Sequence, residues 1–168
     1  MKPIKILFLA LAACLFWLSP AKANEISAFH SEITINKDAS ISIKENIEAN
    51  VTAGPLHGIY RFIPVNYHAK NGKDFSLPVQ NFQVVDAFGQ PLPFQKTAQG
   101  DYWKFRIGDP NNTFSGKKLF IISYDIAAAI NYFDNFDELY WNITGNNWDW
   151  PINNPSATVF LPSGLAPE

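Results

Sequence analysis

Ile33-Thr34-Ile35-Asn36-Lys37-Asp38-Ala39-Ser40-Ile41-Ser42-Ile43-Lys44-Glu45-Asn46-Ile47-Glu48-Ala49-Asn50-Val51 alternates apolar and polar side chains almost without a slip. Successive side chains of a strand point to opposite faces, so a period of two gives one buried face and one wet face. The break at Asn36-Lys37-Asp38-Ala39 is made of turn-forming residues and predicts a hairpin. One residue violates the pattern. Glu45 falls in the apolar phase, between Ile43 and Ile47.

Outward from this hairpin the chain reads as further short strands separated by turn chemistry. The segments are 58–65, 79–85, 91–96, 102–107, 119–127, 139–144 and 157–161. Asp86-Ala87-Phe88-Gly89 and Gln99-Gly100-Asp101 are predicted hairpin turns, and Asp109 to Gly116 a longer loop. Asn71-Gly72-Lys73-Asp74 is the expected mobile tip, and Ala127-Ala128-Ala129 could open a short helical turn. No segment carries a helical apolar stripe over three turns. About nine strands with this punctuation predict an all-β fold, an antiparallel β-sandwich of immunoglobulin-like type, with a barrel as the alternative.

The N-terminus has a different character. Lys2 and Lys5 precede an apolar run from Ile6 to Leu18, Ser19-Pro20 ends it, and Ala21-Lys22-Ala23 offers small residues at a cleavage site. That layout predicts a signal peptide over residues 1–23, cleaved before Asn24. The run is about 13 residues, short of the roughly 20 a spanning helix needs. Leu11-Ala12-Ala13-Cys14 also resembles a lipobox, but Leu15-Phe16-Trp17-Leu18 continues the apolar run where small polar residues are usual. Export is therefore expected, to the periplasm or the cell surface. Residues 24–168 would form a single extracytoplasmic domain.

Cysteine and charge exclude several functions. The lone Cys14 leaves with the leader, so the mature chain has no thiol nucleophile and no thiolate metal site. Removing Lys2, Lys5 and Lys22 leaves 10 basic residues against 15 acidic ones, a net charge of −5. The basic residues are scattered, which is a poor footprint for nucleic acid or an anionic membrane surface.

Few residues offer chemistry. A buried unpaired carboxylate is costly, so Glu45 requires a partner, and Arg61 is the choice, as a structural ion pair. Asp134, Asp137 and Glu138 cluster beside Asn135. Such carboxylates serve glycoside cleavage or calcium binding elsewhere, but the spacing matches no calcium loop, and a solvated loop is the plainer reading. His30, His57 and His68 lack metal-ligand spacing. No nucleophile elbow or phosphate loop is present. No catalytic residue, metal or cofactor is expected. Tyr140, Trp141, Trp148 and Trp150 form a dense aromatic block. Tyr140 and Trp141, adjacent on a strand, must face opposite ways, so one enters the core. Rings left outside could stack on sugars or anchor a protein. This block is the expected binding surface.

Three stretches together carry a resemblance. They are Gly58-Ile59-Tyr60-Arg61-Phe62-Ile63-Pro64; Arg106-Ile107-Gly108 with Gly116 and Tyr124-Asp125-Ile126; and Asp137-Glu138-Leu139-Tyr140-Trp141-Asn142-Ile143-Thr144-Gly145 leading to Trp148 and Pro151-Ile152. In order and spacing the chain resembles the N-terminal extracytoplasmic domain of predicted bacterial membrane proteins of the Domain of Unknown Function 2207 family, over about residues 26 to 162. The resemblance implies an exported β domain ahead of membrane helices and a cytoplasmic part. It brings no catalytic residue. Family domains usually continue with further strands beyond a strand end such as Leu161-Pro162, so the domain is expected to be C-terminally incomplete relative to the family, which would favour one unpaired sheet edge. The expected role is a non-catalytic interaction or sensing domain with a protein or envelope partner. A carbohydrate or cell-wall binding module is the alternative, and a glycoside hydrolase using Asp134, Asp137 and Glu138 the second.

Overall fold

The chain is seen in a computed structural model that describes residues 23–68 and 74–164. Residues 1–22 of the expected leader and Asn71-Gly72-Lys73 of the expected loop tip lie outside the described residues.

Twelve strands and no helix occur among the described residues. In chain order they are β1 (Glu25–Ile35), β2 (Ile41–Leu56), β3 (Ile59–Pro64), β4 (Asn66–His68), β5 (Asp74–Ser76), β6 (Val79–Val85), β7 (Phe94–Gln99), β8 (Tyr102–Ile107), β9 (Phe114–Ile126), β10 (Ile130–Tyr132), β11 (Asp137–Leu139) and β12 (Pro155–Phe160). A five-stranded sheet has the order β12-β1-β2-β9-β6, and a three-stranded sheet the order β3-β8-β7. Two short ribbons, β4-β5 and β10-β11, complete the β-sandwich.

The alternating stretch builds the centre. β1 and β2 pair across the Asn36–Ala39 turn, with Ile35 opposite Ile41 and Ile33 opposite Ile43. The turn is closed by the Asn36 N–H donating to the Ser40 carbonyl at 2.9 Å. The Ser40 hydroxyl donates to Asp38 Oδ1 at 2.7 Å. Ala39 takes φ +66°, which a non-glycine residue tolerates only in such a tight turn. The in-phase residues of β2 from Ile41 to Val51 are all buried, and they meet Phe120, Ile122, Tyr124 and Ile126 of β9 in the neighbouring strand. From the facing sheet come Ile59, Ile63, Phe105 and Ile107, so both sheets share one core.

The chain changes sheets at Leu56-His57-Gly58, where two backbones approach too closely for side chains. A Cβ on Gly58 would run into the Ile107 carbonyl oxygen, and one on Gly108 into that of His57. Both positions need glycine for this reason.

Three expectations are corrected. The sandwich is not wholly antiparallel, because β12 runs parallel to β1, from Phe29 opposite Pro155 to Thr34 opposite Phe160. A parallel neighbour needs a long connection. All of β2 to β11 lies between β1 and β12, and a period of two carries no directional information. Residues 139–144 are not a strand; pairing ends at Leu139, and Asn142 begins a turn. Ala127-Ala128-Ala129 forms a turn with Ala128 at φ +53°, not a helical start.

Candidate functional site

The buried charge comes first, since the aromatic loop is seated on it. Glu45 projects from the middle of β2 and Arg61 from β3 of the opposite sheet. Their exposures are 0% and 1%. Arg61 Nε donates to Glu45 Oε2 at 2.8 Å and Nη2 donates to Oε1 at 2.7 Å, a two-pronged charge-assisted pair. Arg61 Nη1 donates to the Phe62 carbonyl at 2.7 Å. The Tyr124 hydroxyl, from β9, adds a 2.7 Å bond to Glu45 Oε1. Burial opposes the charge on Arg61, but Glu45 outweighs it, and the guanidinium is held protonated beyond its usual range. Burial, reinforced by Glu45, pushes the Tyr124 phenol well above its ordinary value. Every polar atom of the pair is engaged, as a buried ion pair requires.

Tyr124 is a member of this network that sequence reasoning missed. Its signal was weaker than that of Glu45: a tyrosine in phase with Phe120, Ile122 and Ile126 breaks no apolar pattern.

Arg61 also organises the surface above it. Gly145, at φ +71°, sits so close that a Cβ would strike Arg61 Nη1. The guanidinium lies 6.0 Å from the Trp148 ring and 5.8 Å from the Phe29 ring. Trp148 meets Phe29 edge to face at 6.1 Å and donates its indole N–H to the Thr144 carbonyl at 2.8 Å. The loop through Asn142, Gly145 and Trp148 is thereby pinned across the open side of the sandwich.

The four expected surface aromatics separate on this account. Tyr140 is 75% exposed. Trp141, Trp148 and Trp150 are half-buried and pack against the core. The Trp141 indole N–H is buried with no partner among the described residues. Tyr140 is open to solvent and Trp141 packs on the core, but both lie in a loop rather than a strand.

A shallow trough of about 640 Å³ opens beside Trp148, on the outer face of the three-stranded sheet. Tyr60, Phe62 and Tyr102 line it with Trp148. Polar groups alternate with the rings: Gln99, Asp101, Lys104, Asn147 and Asp149. Strand register explains the grouping, since Phe62 stands opposite Lys104 and Pro64 opposite Tyr102. Lys104 Nζ lies 4.3 Å from the Tyr60 ring centre and 5.4 Å from that of Phe62. Among the described residues no carboxylate pairs with it. Sequence reasoning missed this face, although aromatic residues in the outward phase of 58–65 and 102–107 marked it.

The surface acids are not gathered into a site. Asp137 and Glu138 are adjacent on β11, opposite Tyr132 and Asn131 respectively, so their side chains leave opposite faces of the ribbon. Asp134 lies in the bend before them, and all three are exposed. Glu138 accepts a bond from Asn131 Nδ2 at 3.2 Å. Among the described residues no three His, Cys, Asp or Glu side chains are placed to hold a metal. His30 lies 2.9 Å from the Ser156 hydroxyl, and His57 3.1 Å from the Asn112 carbonyl. His68 contacts Asp74 at 2.9 Å and Asp101 at 3.3 Å, and these bonds, Asp74 first, raise its pKa above the ordinary histidine value. Among the described residues no helix is long and apolar enough to cross a membrane.

Comparison with known proteins adds three findings. Residues 25–167 match the family described as predicted membrane protein (DUF2207), N-terminal domain. The chain is 29% identical over 135 residues to the uncharacterized protein YciQ of Escherichia coli strain K12. That match takes in 79% of this chain but only 21% of YciQ, so the chain spans about a fifth of its curated relative. Leukotriene A4 hydrolase from Saccharomyces cerevisiae superposes on 64% of the chain, and 16% of its own, with a TM-score of 0.41 and 14% identity, too loose a likeness to bear on fold or activity. The family match runs through the hairpin, the Arg61 network and the Trp148 loop alike, and the chain belongs to the DUF2207 family of predicted membrane proteins, as its N-terminal domain.

Proposed function

We propose that this domain is a non-catalytic extracytoplasmic interaction module of a bacterial envelope membrane protein, exported by a signal peptide at residues 1–23 and cleaved before Asn24. One observation carries the reading: the most elaborately built ionisable cluster, Glu45, Arg61 and Tyr124, is sealed in the core with its polar atoms engaged by one another and by the Phe62 carbonyl. An acid, base or nucleophile has to reach its substrate, and these groups support a surface instead. Asp134, Asp137 and Glu138, the residues a hydrolase would need, diverge on an exposed ribbon. What the fold offers to a partner is aromatic and polar surface, rimmed by a loop anchored on Arg61.

Three measurements on the full chain test this. Mass spectrometry of the mature N-terminus should find Asn24, and an alkaline phosphatase fused after Glu168 should be active, as it is only outside the cytoplasm. A Cys14 start carrying a diacylglyceryl group would replace the cleavage site, and an inactive fusion would end the extracytoplasmic reading. Hydrolysis of any member of a glycan panel, lost when Asp134, Asp137 and Glu138 are all replaced by Ala, would refute the non-catalytic assignment.

A further inference from the structure

We infer that the trough on the outer face of the three-stranded sheet binds a neutral saccharide, a step that rests on the domain being a binding module. Its rings come from three separate elements, Tyr60 from β3, Tyr102 from β8 and Trp148 from the connecting loop, yet they border one hollow. A pyranose ring has an apolar C–H face and an equatorial rim of hydroxyls. The first lies well on an aromatic ring, and the second needs donors and acceptors at the sides. Lys104 supplies N–H donors and Asp149 acceptors within the same hollow. The volume, about 640 Å³, is within the usual range of small-molecule sites.

Charge selects neutral over anionic ligands. Among the described residues Lys104 is the one cation lining the trough, against the two carboxylates Asp101 and Asp149. Asp101 is shared with His68, but Asp149 has no cation partner among the described residues and would repel a phosphate or uronate chain. Lys104 is also braced against Tyr60 and Phe62, which fixes its donors in place at little entropic cost. Trp148 is held from behind by Phe29 and by its bond to Thr144, so this wall is formed before any ligand arrives.

The test uses the full chain with cellotriose, maltotriose and chitotriose as probes, and dextran sulfate as a polyanion control, read by indole fluorescence and calorimetry. At least one trisaccharide should bind with Kd on the order of 0.1–1 mM, the range expected for a shallow site. Tyr60→Ala and Tyr102→Ala should each weaken it about tenfold or more, with circular dichroism and melting temperature retained. Phe88→Ala, an exposed ring on a turn of the other sheet, should leave it unchanged. Absence of binding by all three trisaccharides, binding that survives the Tyr60/Tyr102 double replacement, or saturation by dextran sulfate alone would each overturn the inference. None of these outcomes touches export or the lack of hydrolysis, so the saccharide inference can fail while the interaction-module reading stands.

Discussion

Removing Arg61 would strand Glu45 where water cannot reach it. The loss expected for Arg61→Ala is about 3–5 kcal/mol, the cost of breaking one side of a buried pair. Urea denaturation measures it, and a loss under about 1 kcal/mol, the worth of a surface pair, would contradict the pairing. Tyr124→Phe should cost less, about 1.5–3 kcal/mol, because it deletes a single bond to a charged acceptor and leaves both Arg61 bonds in place. At this scale the amino-acid order was informative. Glu45 broke an otherwise apolar phase, and the need for a partner pointed to Arg61. The third member was hidden because a tyrosine in a core position violates nothing.

Among elements, the Trp148 loop depends on one glycine. Gly145→Ala places a methyl group at φ +71° against the Arg61 guanidinium, so a destabilisation of about 1–3 kcal/mol is expected. The loop should shift with it, moving the Trp148 fluorescence maximum to the red; an unchanged spectrum and stability would show that the loop is not seated on Arg61. The β4-β5 ribbon carries a pH dependence of its own. Asp74 and then Asp101 raise the folded-state pKa of His68 above the unfolded 6.5. The contribution is complete below pH 6.5 and is lost as pH climbs through the higher folded value. All three groups are exposed, so salt should weaken it. An NMR titration should place the His68 midpoint above 6.5, and a midpoint at or below 6.5 would negate the contact. These ribbons escaped the sequence reading because three-residue strands are too short to display a period. The first residues of β1 escaped for another reason. A register shift between Ile26 and Ala28 puts the buried Ile26 and Phe29 three apart, which breaks the alternation.

Across the whole molecule, the two edges of the large sheet are unlike. β6 is an antiparallel neighbour of β9, with a bulge at Asn81, φ +52°, that twists its pairing. β12 lies flat along β1, exposed throughout, with Val159 and Phe160 about half open to solvent. Such an edge invites association with another strand. Val159→Lys should change folding stability by no more than about 0.5 kcal/mol, as expected of an exposed site. It should also reduce concentration-dependent light scattering of the full chain, and unchanged scattering would show that this edge does not self-associate.

Legible in the amino-acid order were the all-β class, the central hairpin with its inward isoleucines, several strand boundaries to within a residue or two, and the need of Glu45 for a cation. These are local properties: a period of two and a turn are written in neighbouring residues. The parallel placement of β12, the sheet order, the Tyr124 bond and the gathering of Tyr60, Tyr102 and Trp148 around one trough were not legible. Each joins residues far apart in the chain, and their meeting depends on how two sheets stack and on which side a long loop crosses. Local alternation says that a residue points inward; it takes the packed sandwich to say what it meets there.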